Sequence, residues 1–170
     1  MYEVAKRLFI GTERDCFYSE KNEWAVIHAC KFPCHQRALS YRGSLPSNHP
    51  HYLTYERGSH LFLNIIDPPQ PLFKLPLFTA SLDFIDNYID ERQVLIHCNH
   101  GLSRAPSIAL LWLAKRKNAI TNVSYRDAYT EFNKIYPQYQ PGNGIAHYLL
   151  DHWLEIEWHL HSSTCRITFH

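Results

Sequence analysis

The sequence predicts an α/β fold with a small, mostly parallel central sheet flanked by helices. Three observations support this prediction. Short β-branched or aromatic segments come first, segments with helical periodicity fill the second half, and one strand-like segment runs directly into a helix-like segment that is apolar nearly all round. At 170 residues the chain suits one domain with a substantial core. We expect residues 1–161 to form that domain and residues 162–170 to form a C-terminal tail.

Four segments are predicted to be strands, because each is β-branched or aromatic and is bounded by polar residues. They are RLFIG (7–11), WAVIHAC (24–30), HLFLNII (60–66) and QVLIHC (93–98). The last of them is unbroken apolar almost to its end, which is typical of a buried central strand. The connection 37–59 is rich in Pro, Gly, Ser and His, and we expect a long surface loop there.

Four segments are predicted to be helices. They are TASLDFIDNYID (79–90), APSIALLWLAK (105–115), SYRDAYTEFNKI (124–135) and GIAHYLLDHWLEIEWHL (144–160). Three of these segments place their apolar residues on one face, as helices that cover a sheet do. The 105–115 segment is apolar on nearly every face, so it should be the buried helix of the domain. Strands interleaved with such helices give an α/β sandwich.

The composition excludes several classes of function. Seventeen basic and sixteen acidic residues give a formal net charge of +1, which provides no broad positive field for nucleic acid. Five cysteines with irregular spacing argue against a secreted disulfide framework. No segment approaches the roughly 18 apolar residues of a membrane span, and the N-terminus lacks the apolar run of a signal peptide. We therefore expect a cytoplasmic monomer with no membrane partner.

The segment HCNHGLSRAPS (97–107) carries the chemistry. It lies where the predicted central strand ends and the buried helix begins, and ligands of open α/β sheets bind at that end of the strands. A tight loop that opens a helix directs backbone N–H groups and the positive helix end at an anion. Gly101 allows the backbone to approach closely, and Arg104 can bind two phosphate oxygens at once. A Cys98 thiolate in such a loop would attack a phosphate monoester and form a phosphocysteine.

The pattern His-Cys, five residues, Arg in HCNHGLSR resembles the signature of the cysteine-dependent protein tyrosine phosphatases. Its Gly-Leu-Ser-Arg part is most similar to the small dual-specificity branch. The resemblance covers nearly the whole chain, because LFIG, WAVIHA, IIDPPQP and QPGNGIAHYLL occur in the family's order. It implies a dual-specificity phosphatase-like fold, no cofactor and no metal, and a phosphorylated protein as the substrate.

The resemblance also implies a role for each site residue. Cys98 is the nucleophile, and Arg104 binds the phosphate and stabilises the transition state. Asp67 is the general acid and base, His97 orients the loop, and Ser103 lines the pocket. The phosphate-binding loop consists of Asn99, His100, Gly101, Leu102, Ser103 and Arg104.

Asp67 in NIIDPPQP is the expected acid because it ends a predicted strand, so its loop could reach the mouth of the pocket. The prolines that follow would stiffen the loop. An alternative is that this aspartate only begins a turn before proline. The competing acids Asp83, Asp86 and Asp90 lie on a predicted helix that should start away from the site.

Ala105 departs from the family's pattern, in which most members carry Ser or Thr directly after the arginine. That hydroxyl stabilises the thiolate that leaves when the phosphoenzyme is hydrolysed. The phosphatases of regenerating liver share Arg-Ala-Pro, so the departure does not by itself imply inactivity. Losing one such donor commonly costs on the order of a hundredfold in rate or more. We expect slow turnover limited by phosphocysteine hydrolysis, with Ser103 and Ser107 as candidates for the missing donor.

Two weaker signals involve other cysteines. His28, Cys30, Cys34 and His35 are close in sequence and raise the alternative of a zinc site, but their spacing matches no common zinc finger, so packing in the core is the preferred interpretation. Some family members form a reversible disulfide between the nucleophile and a cysteine at the end of the second strand. Cys30 occupies the similar place and is a redox candidate.

Three functions therefore stay open. The leading one is hydrolysis of phosphotyrosine, and also of phosphoserine or phosphothreonine, in proteins. The second is an RNA 5′-triphosphatase, because Cys-x-His-Gly-Leu-x-Arg also resembles the cysteine-dependent RNA triphosphatases; only this alternative implies a nucleic-acid partner. Those enzymes lack the aspartate acid, which the present chain supplies as Asp67. The third is a slow phosphatase that acts as a phosphate-dependent binding module, and Ala105 favours it.

Overall fold

The structure is a computed structural model. It describes the backbone of residues 1–162 and the side chains of residues 1–156. The strands are β1 (Tyr2–Ala5), β2 (Leu8–Gly11), β3 (Trp24–His28), β4 (Thr54–Arg57), β5 (His60–Leu63) and β6 (Gln93–His97). They form one sheet in the order β1-β2-β6-β3-β5-β4. The four inner strands are parallel, and β1 and β4 pair antiparallel at the two edges. The predicted α/β fold is confirmed, with a sheet that is mixed at its edges.

The helices are α1 (Gln36–Ala38), α2 (Leu75–Tyr88), α3 (Arg104–Lys115), α4 (Tyr125–Ile135) and α5 (Asn143–Ser162). Two short turns, Glu13–Asp15 and Lys31–His35, lie in the loops that follow β2 and β3. Every residue of α3 is buried, as its apolar sequence predicts, because it packs against the sheet and three helices. At the start of α4 the Ser124 hydroxyl accepts from Asp127 N–H at 3.2 Å, which satisfies one of the orphan donors of the first turn.

The sequence analysis did not predict two of the strands, and it placed the first residue of one helix too late. β1 and β4 are edge strands whose residues are mostly exposed or half-exposed, so neither has an apolar run. β4 lies inside the connection that was predicted to be a surface loop. Helix α2 begins at Leu75 rather than at residue 79, and Pro76 lies in its first turn, where the missing N–H would have no partner anyway.

The two faces of the sheet bury different side chains. Ile27, Ile96 and Cys98 belong to the main core, which the helices cover. Because successive strand residues point to opposite faces, His97 projects to the other side of the sheet. There it meets His28, its register partner on β3, beside a smaller cluster of Cys30, Cys34 and Phe62. The phosphate-loop cysteine and its preceding histidine therefore lie in different environments.

Within the described residues, no helix combines the length and the apolar character that crossing a membrane requires. The tail predicted for residues 162–170 lies outside the described residues from position 163 onward.

Candidate active site

The segment 98–103 forms a loop between the end of β6 and the start of α3. Cys98 opens the loop and is 2% exposed. Gly101 lies at the tip of the loop with φ of 72°, a left-handed conformation that favours glycine. A Cβ at this position would also lie 3.1 Å from the carbonyl oxygen of Gly11, so glycine is required by both the backbone angle and the space.

The carbonyl groups of the loop are held from outside. Their hydrogen bonds run from Glu13 N–H to Asn99 O at 3.3 Å, from Tyr136 O–H to Gly101 O at 3.0 Å and from Gln140 N–H to Leu102 O at 2.8 Å. These three donors come from three different segments, so the loop is braced on several sides. Sequence reasoning missed all three donors, because nothing in their local sequence marks a contact with the loop.

The backbone N–H groups of the same loop are left available. In the part of the chain that the structure describes, the amides of residues 99–103 donate to no protein acceptor. Buried N–H groups are nearly always paired in folded proteins. A run of successive unpaired amides at the start of a helix is the arrangement that binds a phosphate group.

Arg104 adds a fixed positive charge to this loop. Its Nη2 donates to Asn99 Oδ1 at 2.7 Å, and its Nη1 donates to the Ile65 carbonyl at 3.3 Å. The side chain is only 9% exposed. Its Nε has no hydrogen-bond partner among the described residues, and no carboxylate there forms an ion pair with it. A buried guanidinium without an anionic partner is costly, and a bound phosphate would supply that partner.

Asp67 lies on the exposed loop after β5, next to the turn that precedes α5. A Cβ placed on Gly142 would lie 2.5 Å from Asp67 Oδ1. Gly142 in turn donates its N–H to Ser103 Oγ at 2.9 Å. Gly142 thus lies between Asp67 and the phosphate loop, and the role of Asp67 as the acid stays a prediction.

The competing aspartates on α2 lie elsewhere. Asp83 and Asp86 both accept from the Arg116 guanidinium at 2.5 Å, and Asp86 also accepts from Trp112 Nε1 at 2.7 Å. Arg116 follows the C-terminal end of α3, whereas the phosphate loop opens its N-terminal end. A helix of this length spans about 18 Å, so these carboxylates are remote from Cys98.

Ser107 does not replace the hydroxyl that Ala105 lacks. The Ser107 hydroxyl donates to the Ser103 carbonyl at 2.8 Å and also bonds the Tyr139 hydroxyl at 2.8 Å. Both of its hydrogen-bonding directions are therefore used inside the core. Tyr139 bonds Tyr125 in turn at 3.0 Å. Ser103 therefore remains the candidate for the missing donor. Its hydroxyl oxygen accepts a hydrogen bond from Gly142 N–H.

His97 is fully buried, and its Nε2 lies 2.8 Å from Nδ1 of His28. Burial, together with the nearby His97 and His60 rings, lowers the pKa of His28 to about 2, so this ring is neutral at physiological pH. The role that the sequence resemblance implies for His97, which is to orient the loop, stays a prediction. The structure adds that its partner is a second buried histidine.

Cys30 is buried with Cys34 and Phe62, whereas Cys98 belongs to the main core. All cysteines within the described residues are free thiols. The redox role of Cys30 stays a prediction, but the contacts favour Cys34 over Cys98 as its neighbour. His35, from the same sequence cluster, bonds the Tyr41 hydroxyl at 2.9 Å and so braces the loop that follows α1.

No protein-family model and no curated protein matches the chain. Solved structures match it over almost its full length. Human DUSP28 is 15% identical with a TM-score of 0.61, and the match covers 96% of this chain and 100% of that one. DUSP15 is 17% identical with a TM-score of 0.63 and covers 95% of both chains. The human tyrosine phosphatase-like serine/threonine/tyrosine-interacting protein is 19% identical with a TM-score of 0.62, covering 90% of this chain and 95% of its own. The chain therefore has the fold of the dual-specificity phosphatases.

Proposed function

We propose that the protein is a cysteine-dependent phosphatase that hydrolyses phosphotyrosine, and also phosphoserine or phosphothreonine, in proteins. One observation carries the proposal: among the residues that the structure describes, the five successive amides of the loop after Cys98 have no protein acceptor, and the buried Arg104 guanidinium beside them has no carboxylate partner. Amide donors in this number, together with a guanidinium, suit the oxygens of a phosphate dianion. The nucleophile comes from the same loop.

The reaction follows in two steps. In the first, the Cys98 sulfur attacks phosphorus, the S–P bond forms, and the P–O bond to the substrate breaks as Asp67 donates a proton to the leaving oxygen. In the second, Asp67 accepts a proton from water, the water oxygen attacks phosphorus, and the S–P bond breaks. Arg104 and the loop amides stabilise the charge on the equatorial oxygens in both transition states.

The test compares para-nitrophenyl phosphate, a phosphotyrosine peptide, a phosphoserine peptide and 5′-triphosphorylated RNA as substrates. We expect phosphate release from the first three substrates, with vanadate inhibition. Cys98→Ser should abolish release, and Arg104→Lys should lower it strongly, because an ammonium lacks the planar fork. Arg126→Lys, an exposed arginine on α4, is the matched control and should behave as the native protein. Release from RNA alone would replace the proposal by the triphosphatase.

A second candidate is a phosphate-dependent binding module. Ala105 is fully buried, and Ser107 is bonded elsewhere, so the phosphoenzyme lacks a hydroxyl donor at that position. If native protein binds a phosphotyrosine peptide tightly but completes less than one turnover, this second function would be the better description. Single-turnover measurements separate the two cases, because a binder that becomes phosphorylated releases one product equivalent and then stops.

A further inference from the structure

Behind the phosphate loop, on the opposite face of the sheet, four metal-ligating side chains converge. They are Cys16, His28, Cys34 and His97, and one ligand atom from each lies within 4.8 Å of the others. Each comes from a different segment: the loop after β2, the end of β3, the turn Lys31–His35 and the end of β6. Three of the four are buried, and Cys16 is half-buried.

Two of the separations between ligand atoms are close to those of tetrahedral coordination. Zinc bonds of about 2.3 Å to sulfur and 2.0–2.1 Å to nitrogen place tetrahedral ligand atoms about 3.4 to 3.8 Å apart. Here Cys16 Sγ lies 3.9 Å from Cys34 Sγ and 3.6 Å from His28 Nδ1. His28 Nδ1 lies 2.8 Å from His97 Nε2. To seat a metal ion, the His28 and His97 nitrogens would move apart by about 0.6 Å, and the most distant ligand atoms, up to 4.8 Å apart, would close by about 1 Å. We propose that these four side chains form a structural Zn²⁺ site of the Cys₂His₂ type.

Hydrogen bonds alone satisfy this cluster poorly. His28 Nδ1 has one lone pair in the plane of its neutral ring, yet both His97 Nε2 and Cys16 Sγ approach it. A cation that receives one lone pair from each of the four ligand atoms removes this competition.

The surroundings of the cluster resemble the outer shell of a metal site. His28 Nε2 lies 3.0 Å from His60 Nδ1, and His60 Nε2 lies 3.8 Å from the carboxylate of Glu20. A hydrogen bond from a metal-bound ring to a second group fixes the tautomer of that ring and is common around zinc; His60 Nε2 itself has no hydrogen-bond partner among the described residues. The Tyr18 hydroxyl donates to Cys34 Sγ at 3.2 Å. The same tyrosine and Phe62 stack on the His28 ring, so the ligand is held in place before any metal binds.

The protonation states balance. Free thiols carry their protons at neutral pH. Zinc takes both sulfurs as thiolates and both imidazoles as neutral rings, so two protons leave to solvent as it binds. Two thiolates cancel the charge of Zn²⁺, and the loaded site is neutral, which suits a buried position. A surface cleft lined by Cys16, Tyr18, Cys34 and Arg37 gives the ion a way in.

This metal would brace the phosphate loop from behind. The turn before Cys16 supplies Glu13, whose N–H donates to the Asn99 carbonyl, and the turn that contains Cys34 supplies the Phe32 carbonyl, which accepts from Asn99 Nδ2 at 3.3 Å. Zinc would tie both turns to His97, the residue that precedes the nucleophile. The set differs from the one that sequence proximity suggested, because Cys16 and His97 take the places of Cys30 and His35.

The experiment uses full-length, tag-free protein purified under reducing conditions without chelator. Elemental analysis should find roughly one zinc per chain. After removal of zinc, one equivalent of Co²⁺ should give the visible absorption of a tetrahedral cobalt site together with thiolate charge-transfer bands. Cys16→Ser, at the half-exposed ligand, should weaken binding by more than the ten- to hundredfold that loss of an outer-shell partner costs. His49→Leu, at a half-exposed histidine outside the set, is the control and should bind metal as the native protein does.

The zinc content and the cobalt spectrum of the native protein test the proposal even if a variant fails to fold. Less than a tenth of an equivalent of zinc, with no tetrahedral cobalt spectrum on reconstitution, would overturn the proposal. A Cys16–Cys34 disulfide in freshly reduced protein would overturn it as well, and so would equal loss of metal in the Cys16 and His49 variants. Metal content does not depend on turnover, so this proposal and the phosphatase proposal fail independently.

Discussion

Gly142 donates its backbone N–H to the Ser103 hydroxyl at 2.9 Å, and on its other side it lies against Asp67. A Cβ at position 142 would lie only 2.5 Å from Asp67 Oδ1. One glycine therefore contacts both the phosphate-binding loop and the loop of the proposed acid. The loop after β5 also packs on the start of α5, where a Cβ on Gly144 would collide with the carbonyl oxygens of Pro68 and Gln70.

Replacing this glycine should damage catalysis without removing a catalytic group. In Gly142→Ala the new methyl group displaces the Asp67 carboxylate, and a displacement of about 1 Å can cost on the order of a hundredfold in rate. We expect a lower kcat for a phosphotyrosine peptide, with a smaller loss for para-nitrophenyl phosphate, whose leaving group needs less protonation. Steady-state kinetics on both substrates measure the difference. Asn143→Ala, at the exposed neighbouring position, should keep native rates, and equal losses on both substrates would contradict the explanation.

Asp67→Asn tests the acid directly. General acid catalysis contributes typically 10²- to 10⁴-fold, so kcat for the phosphotyrosine peptide should fall within that range. The loss should shrink as the leaving group becomes a weaker base, which a series of substituted phenyl phosphates measures. Asp86→Asn is the matched control, because its carboxylate binds Arg116 and Trp112 far from the loop. A native kcat in Asp67→Asn would remove this residue from its role.

Ala105→Ser should restore the hydroxyl that assists phosphoenzyme hydrolysis. Because Ser107 is committed to Ser103 and Tyr139, no other hydroxyl on the first turn of α3 performs this task. We expect turnover to rise by about tenfold or more and the pre-steady-state burst to shrink, as measured by rapid-quench kinetics. Ala109→Ser, one turn further along the same buried helix, controls for adding a hydroxyl to the core. An unchanged burst in Ala105→Ser would show that hydrolysis of the phosphoenzyme is not limiting.

The sequence predicted the parts of this molecule whose signals are local. The four inner strands are apolar runs, the buried helix is apolar on nearly every face, and Cys98 and Arg104 lie at the two ends of one short segment that joins β6 to α3. The edge strands β1 and β4 carry no apolar run, because part of each strand is exposed to solvent. Their pairing is fixed by neighbours in the sheet, which a local pattern does not contain.

The contacts around the loop depend on tertiary structure in the same way. Cys16 lies in a loop without periodicity, and only the folding of that loop over the end of β3 brings its sulfur to His28. His28 and His97 meet because parallel β3 and β6 pair them in register, and the sequence alone did not reveal that register. Proximity along the chain instead grouped Cys34 with His35, whose ring bonds Tyr41.

His60 offers a test of the proposed metal site that leaves its four ligands intact. Its Nδ1 faces the Nε2 of His28 at 3.0 Å, so His60→Leu removes the acceptor that holds the His28 ring in its metal-binding tautomer. Loss of such an outer-shell partner typically weakens metal binding 10- to 100-fold. We expect that change in the zinc dissociation constant, measured by competition with a chelator of known affinity.

His60→Gln keeps an acceptor oxygen near His28 and should recover part of the lost affinity, which a purely steric role for the ring would not predict. His49→Leu, at a half-exposed histidine outside the cluster, should bind zinc as the native protein does. An identical zinc affinity in native protein and His60→Leu would contradict the role of His60, because the hydrogen bond to the metal-binding ring would then contribute nothing.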